Sequence, residues 1–228
     1  EDIVTSSNST DVSYHAVRAY YDIYRELRQR HPELLLEICN DGGRMVDFGS
    51  AEQGDYFSMT DTYTPRRSVL YMPGANDKAL EKAKGLAADT IIFDTEDSVA
   101  PDMKKEAREK VAAAATSGEY GNRALTIRVN SIETEWFVDD LRSACEAGPA
   151  GIVVPKVSSL EDVETVEALM DSFGAPAHTR IWAMLETPAA LVNAVQIAAS
   201  SERLAVLVMG TNDLARELHA ARVPGLHP

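Results

Sequence analysis

Two short apolar runs that each lead to an acid constrain this chain most. Ile181–Leu185 is followed at once by Glu186, and Leu204–Met209 is followed four residues later by Asp213. Both runs have the length of a strand. The residues between them open on Thr187 and Pro188 and read as a helix, because proline is favoured in a first helical turn, where its missing N–H would be unpaired anyway. Strand, helix and strand in that order is the unit of a parallel α/β fold, where chemistry collects at the carboxyl ends of the strands. Two carboxylates at successive strand ends can converge on one hard cation with oxygen ligands, Mg²⁺ foremost and Mn²⁺ as a substitute. Two plainer readings stand beside that one. Glu186 suits the positive end of the helix dipole, and Asp213 suits the N-cap of a helix Leu214–Ala221.

The same unit recurs upstream. Strands are expected at Ser68–Met72, Thr90–Asp94, Ala124–Asn130 and Gly151–Val157, and helices at Lys78–Lys84, Met103–Ser117, Thr134–Ala147 and Leu160–Phe173. With the two acid-tipped runs this makes six strand-helix units from Ser68 to Ala221, whereas a closed barrel of this type has eight. The expected fold is therefore an α/β, incomplete TIM (β/α) barrel of about six units, preceded by a short α/β N-terminal fragment. Its first and sixth strands would be open edges, with Leu34–Cys39 as the strand that could cover one of them. Turnover is expected to be impaired by the missing units.

Several charged residues fall where such a fold would use them. Asp94, Glu96 and Asp97 crowd the end of one strand, and like charges so close call for cations or hydrogen bonds. The plainer reading makes Asp97 and Ser98 a turn cap. Arg128 sits in an apolar strand, where an unpaired charge is costly, so it should face the barrel mouth and meet an anion or acid there. Lys156 follows the fourth strand, with a solvated side chain as the alternative.

Composition narrows the function. A chain of 228 residues with 45% hydrophobic content builds a real core, and a net charge of −14 with a pI near 4.7 argues against nucleic acid or an anionic membrane as partner. The acidic, polar start is unlike a secretory signal and no run approaches a membrane span, so a cytoplasmic protein is expected. Cys39 and Cys145 show no metal spacing and are expected to be reduced thiols. Residues 1–65 hold five Arg and no Lys, whereas lysine is frequent afterwards, which places a compositional boundary near residue 65.

In order, RRSVLYMPGAN, IIFDTEDSVAPDMKKEAR, TIRVN, GIVVPKV, AMLETP and VMGTNDLARELHA resemble the citrate lyase beta-subunit family, which includes the malyl-CoA lyases. The resemblance, over residues 66–228, implies a Mg²⁺-dependent carbon–carbon lyase or aldolase acting on citryl-, malyl- or citramalyl-CoA. It puts the metal on Glu186 and Asp213. Catalytic roles fall to Arg67, Arg128, Glu96 and Asp97. Arg67, Arg128 and Lys156 would bind the 2-oxo acid, and the CoA thioester would lie by Pro73 and Gly74. A complete barrel would be a homo-oligomer. Residues 1–65 resemble a fragment of the alpha-galactosidases of a glycoside hydrolase clan, through Cys39, Gly42, Gly43, Arg44 and Asp47, with Thr60-Asp61 nearest the acid/base motif. That leaves two alternatives to the lyase: an inactive fusion fragment, and a carbohydrate-active protein led by the N-terminal segment.

Overall fold

The computed structural model describes residues 66–219 and, before them, residues 23, 25–27, 29–30 and 35–39. Among the described residues seven strands form one all-parallel sheet: β1 (Leu35–Cys39), β2 (Val69–Pro73), β3 (Thr90–Asp94), β4 (Ala124–Arg128), β5 (Gly151–Val154), β6 (Arg180–Leu185) and β7 (Leu204–Gly210). Their order is β1-β7-β6-β5-β4-β3-β2. The last six strands follow one another in sequence and in space, with helices between them: a curled half-barrel.

Strands β3, β5 and β6 are buried along nearly their whole length, which suits parallel strands covered on both faces and explains their unbroken apolar sequences. The alternation of side chains divides the core in two. Ile91 and Phe93, Ile152 and Val154, Ile181 and Ala183, and Leu207 and Met209 turn outward and pack with the helices. Ile92, Val153, Trp182, Met184, Val206 and Val208 form a second cluster on the inner face. Trp182 is fully buried there, and Gly151 makes room for it: a Cβ at that position would stand 2.4 Å from the indole nitrogen.

From β2 onward the α-helices among the described residues are α1 (Asp77–Ala83), α2 (Lys104–Thr116), α3 (Phe137–Ala147), α4 (Leu160–Ser172), α5 (Pro188–Val192), α6 (Ala194–Ala198) and α7 (Thr211–Glu217). Local chemistry sets their ends. Asn76 accepts from the Ala79 N–H, Ser159 and Asp162 form a capping box, and Gly148 closes α3 at φ 60°. No helix among the described residues is long and apolar enough to cross a membrane.

Three expectations need correction. The single helix after Glu186 is two short ones, because the backbone leaves helical geometry at Asn193, whose side-chain amide donates to the Ser158 carbonyl at 2.8 Å. The helix expected at Leu214 starts at Thr211, so Asp213 lies in its first turn and Gly210 stands at the cap position. The sixth unit's strand is not an open edge. β1 runs parallel to β7, Leu35 opposite Val206 through Cys39 opposite Gly210, so the sheet crosses the compositional boundary near residue 65. β2 remains an edge.

Candidate active site

Register brings the acids together. Asp94 of β3 lies opposite Arg128 of β4, and Arg128 lies opposite Val153 of β5. Counting by two along the inner face leads from Ile92 to Asp94, from Met184 to Glu186 and from Val208 to Gly210, so the apolar lining ends in charge at the carboxyl ends of the strands.

Arg128 is 7% exposed and paired with three acids. Its Nε and Nη2 each lie 2.7 Å from a different oxygen of Asp94, a two-pronged pair matched to the planar guanidinium. Its Nη1 is 2.7 Å from Glu96 Oε2 and 3.4 Å from Asp97 Oδ2, and its Cζ lies over the Tyr71 ring, 5.1 Å from the ring centre. Glu96 Oε2 is buried without an aligned hydrogen bond, so that contact is an ion pair only. Burial works to raise the Asp94 pKa, and Arg128 overrides it, holding the carboxyl below the usual range. Glu96 moves the other way. Burial and the neighbouring Asp97 raise its pKa against the pull of Arg128 and Lys156.

Buried polar groups hold this cluster in place. The Lys104 ammonium donates to the carbonyls of Thr95 (2.9 Å) and Glu96 (2.7 Å), pinning the loop that carries Glu96. Asp140 accepts from the Asn130 side chain at 2.6 Å and from Arg108 Nε at 2.6 Å, while the Thr95 hydroxyl donates to the Arg128 carbonyl at 2.6 Å. The loops after β3 and β4 are thereby stitched together.

Glu186 is 2% exposed, and its carboxyl is pushed up to about 8, first by burial and then by the charge of Glu96 and of Asp213. Its Oε1 accepts the Lys156 backbone N–H at 2.8 Å. Lys156 holds a left-handed φ of 57°, which costs a non-glycine residue about 1–3 kcal/mol and persists because the surroundings enforce it. The Lys156 ammonium lies 3.2 Å from Glu96 Oε1. Asp213 reaches the same end of the sheet from α7 and pairs with Arg216 at 2.7 Å.

Gly210 is the residue the sequence reading missed. A Cβ there would stand 2.5 Å from both Cβ and Oε2 of Glu186, so only glycine leaves space for this carboxylate. Gly210→Ala is expected to cost about 1–3 kcal/mol by overpacking and to displace Glu186. A thermal melt beside a cation titration checks both effects; an unchanged melt would contradict the crowding.

Arg67 is corrected. It precedes β2, at the amino end of the sheet, where its Nε and Nη2 each lie 2.9 Å from one oxygen of Asp89. It lines a groove of about 560 Å³ with Asp89, Asn122 and Arg123, on the opposite end from the acid cluster. Pro73 and Gly74 do lie at the carboxyl end, on edge strand β2, where Gly74 N–H donates to the Asp94 carbonyl at 2.8 Å.

Among the described residues no three Asp, Glu, His or Cys side chains form a ready metal cage. The donor set nevertheless fits Mg²⁺, which is commonly bound by one or two carboxylates, with waters and substrate oxygens completing its shell. Glu186 after β6 and Asp213 in the first turn of α7 offer oxygen donors at the same end of the sheet, and the crowding of Glu186 by Glu96 and Asp213 is the repulsion that a cation would relieve.

The model of the HpcH/HpaI aldolase/citrate lyase family matches residues 67–227. The chain belongs to that family. It is similar to the (3S)-malyl-CoA thioesterase of Cereibacter sphaeroides, at 49% identity over 68% of this chain and 52% of that protein. It is also similar to citrate lyase subunit beta of Escherichia coli, at 35% identity over 70% of this chain and 54% of that protein. The chain thus spans about half the length of the curated relatives it matches. Among solved structures, the CitE protein of Mycobacterium tuberculosis in complex with magnesium and acetoacetate superposes with a TM-score of 0.57 at 25% identity, over 72% of this chain and 64% of that one.

The family match starts at residue 67, and the alpha-galactosidase resemblance of residues 1–65 finds no support among these relatives. Of the residues that carried it, Cys39 ends β1; Gly42, Gly43, Arg44, Asp47, Thr60 and Asp61 lie outside the described residues.

Proposed function

We propose that the carboxyl end of this sheet is a divalent-cation site for carbon–carbon bond cleavage or formation on a CoA thioester of a 2-hydroxy acid, of the malyl-, citramalyl- or citryl-CoA kind. The observation that carries the reading is the placement of Glu186 directly after β6 and of Asp213 in the first turn of α7, which follows the adjoining β7, with Gly210 leaving the space that Glu186 fills. Glu186 and Asp213 would hold Mg²⁺, or Mn²⁺ in its place. A bound cation supplies Lewis acidity toward a substrate carbonyl or alkoxide oxygen. The chain's own residues set the stage for it. Lys156 N–H aims Glu186, Arg128 gathers Asp94, Glu96 and Asp97, and the buried Lys104 and Asp140 lock the loops that carry them. Pro73 and Gly74 would face the CoA part from the edge strand.

The thioesterase similarity favours a second reading, in which the same substrate class loses CoA by hydrolysis. Incubation with malyl-CoA and Mg²⁺ separates the two. Glyoxylate with acetyl-CoA marks carbon–carbon cleavage, malate with free CoA marks hydrolysis, and unchanged malyl-CoA, citramalyl-CoA and citryl-CoA would overturn both.

Cation binding should be linked to protons. Glu186 must lose its proton to act as a ligand, and in the cation-free protein it does so near pH 8. Affinity for Mn²⁺ is expected to rise about tenfold per pH unit below that value and to level off above it. Titrations from pH 6 to 9 check this; a flat profile would mean that Glu186 is not the ligand.

A further inference from the structure

The groove at the amino end of the sheet differs in chemistry from the acid cluster. Its lining includes Arg67, Ser68, Asp89, Asn122 and Arg123, and its volume of about 560 Å³ falls within the ~300–1,000 Å³ of small-molecule sites. Asp89 stands just before β3 and Asp94 ends that strand, so about 16 Å of strand, at ~3.3 Å per residue, separates the groove from the acids. Neither Glu186 nor Asp213 lines it.

Arg123 sets the character of the groove. A guanidinium has five N–H donors. Three of them hold backbone carbonyls: Nε (3.0 Å) and Nη2 donate to Leu86, and Nη1 donates to Tyr120 at 2.6 Å. That leaves one N–H on each terminal nitrogen for a ligand. Among the described residues no acid pairs with this half-buried arginine, so carbonyl dipoles hold it in place without cancelling its charge. The frame behind it is fixed. Tyr120 is 2% exposed, with its hydroxyl on the Leu80 carbonyl at 3.1 Å, and Gly121 takes the left-handed φ of 65° between Tyr120 and Arg123. A guanidinium held in this way loses little freedom on meeting an anion.

The neighbouring groups add donors. Asn122 contributes an exposed amide, and Ser68 Oγ accepts the Asp89 N–H at 3.1 Å while keeping its own proton to donate. Asp89, the one acid among the described residues of the lining, has its two oxygens on Nε and Nη2 of Arg67, each at 2.9 Å. A carboxylate is satisfied by a single arginine fork, whereas a phosphate has oxygens left for the amide and the hydroxyl. We propose that this groove is a second ligand site, remote from the carboxyl end of the sheet, that takes a phosphorylated small molecule. The assignment is independent of the cation reading.

Pyrophosphate is the probe, titrated calorimetrically into cation-free protein, where the acids at the other end of the sheet repel an anion. The wild type is expected to bind pyrophosphate more tightly than succinate. Asn122→Asp changes an exposed side chain and sets a negative charge in the groove, so pyrophosphate affinity should fall roughly tenfold or more, like charges placed together being strongly unfavourable. Asp89→Asn removes a negative charge from the same groove and should leave affinity equal or tighter. A purely structural role for Arg123 predicts no such opposition between two substitutions that leave its carbonyl bonds in place. A wild type that binds no pyrophosphate, or binds succinate as tightly, overturns the assignment. So does an Asn122→Asp affinity equal to that of the wild type, or a weakened one in Asp89→Asn.

Discussion

Glu186→Gln is expected to weaken Mg²⁺ or Mn²⁺ binding by roughly a hundredfold or more, because losing a group that merely orients a metal ligand already costs about 10–100-fold. The substitution is close to isosteric. Its amide oxygen can still accept the Lys156 N–H, and its volume still fills the space beside Gly210. What disappears is the buried charge. In the cation-free protein that charge is a burden, since burial and the proximity of Glu96 and Asp213 hold the carboxyl protonated up to about pH 8. The variant should therefore melt at the same temperature as the wild type or higher above pH 8 without cation, and should gain no stability when Mg²⁺ is added, whereas a ligand that binds only the folded wild type raises its melting point. Asp213→Ala should weaken the cation at least tenfold, on the order of 1.4 kcal/mol. Equal Mn²⁺ affinity in wild type and Glu186→Gln, measured by calorimetric titration, would remove Glu186 from the proposed cation site.

Much of this site was legible before any coordinates. Parallel strands buried on both faces are written as continuous apolar runs, so Thr90–Asp94 and Gly151–Val154 could be found, and acids that close such runs stand out. The topology also held a warning about Arg67. It precedes its strand, and in a parallel sheet a residue before a strand lies at the amino end, away from the acids. The resemblance overrode that simple argument, and the ion pair with Asp89 bears the argument out. Other features had no local signal. That Asp94 opposes Arg128 depends on strand register between residues 34 positions apart. Lysine is not a residue that marks a left-handed backbone, so the turn at Lys156 is imposed by its loop. The role of Gly210 exists only through contact with a side chain on the neighbouring strand. The pairing of β1 with β7 joins the two most distant strands in the chain, and no periodicity in either predicts it.

Arg128→Met is expected to destabilise the fold by about 3–5 kcal/mol, the usual result of removing one member of a buried ion pair. That is a large share of the ~5–15 kcal/mol that holds a typical domain folded. The arginine is 7% exposed, and its removal leaves Asp94 at 2% and Glu96 at 6% exposure without their principal counter-charge. Asp94 keeps the backbone N–H groups of Glu96 and Ser98, at 2.8 and 3.2 Å, which is too little to offset a buried charge. Arg128→Lys should recover only part of the loss, because an ammonium cannot bind both oxygens of Asp94 as the planar fork does. Replacing both partners, Asp94→Asn with Arg128→Met, should cost less than the two single changes added together, since no unpaired charge then remains at that position. The pH dependence carries the same information. Arg128 holds the Asp94 carboxyl below its unfolded range, so the pair contributes stability above the ordinary carboxylate pKa and loses it as pH falls through the lower folded value. Arg128→Met should therefore flatten the acid limb of the stability curve as well as lowering its plateau. Urea titrations of the four proteins at pH 7 and pH 4 measure both effects, and strictly additive changes would show that Asp94 and Arg128 do not act as a pair.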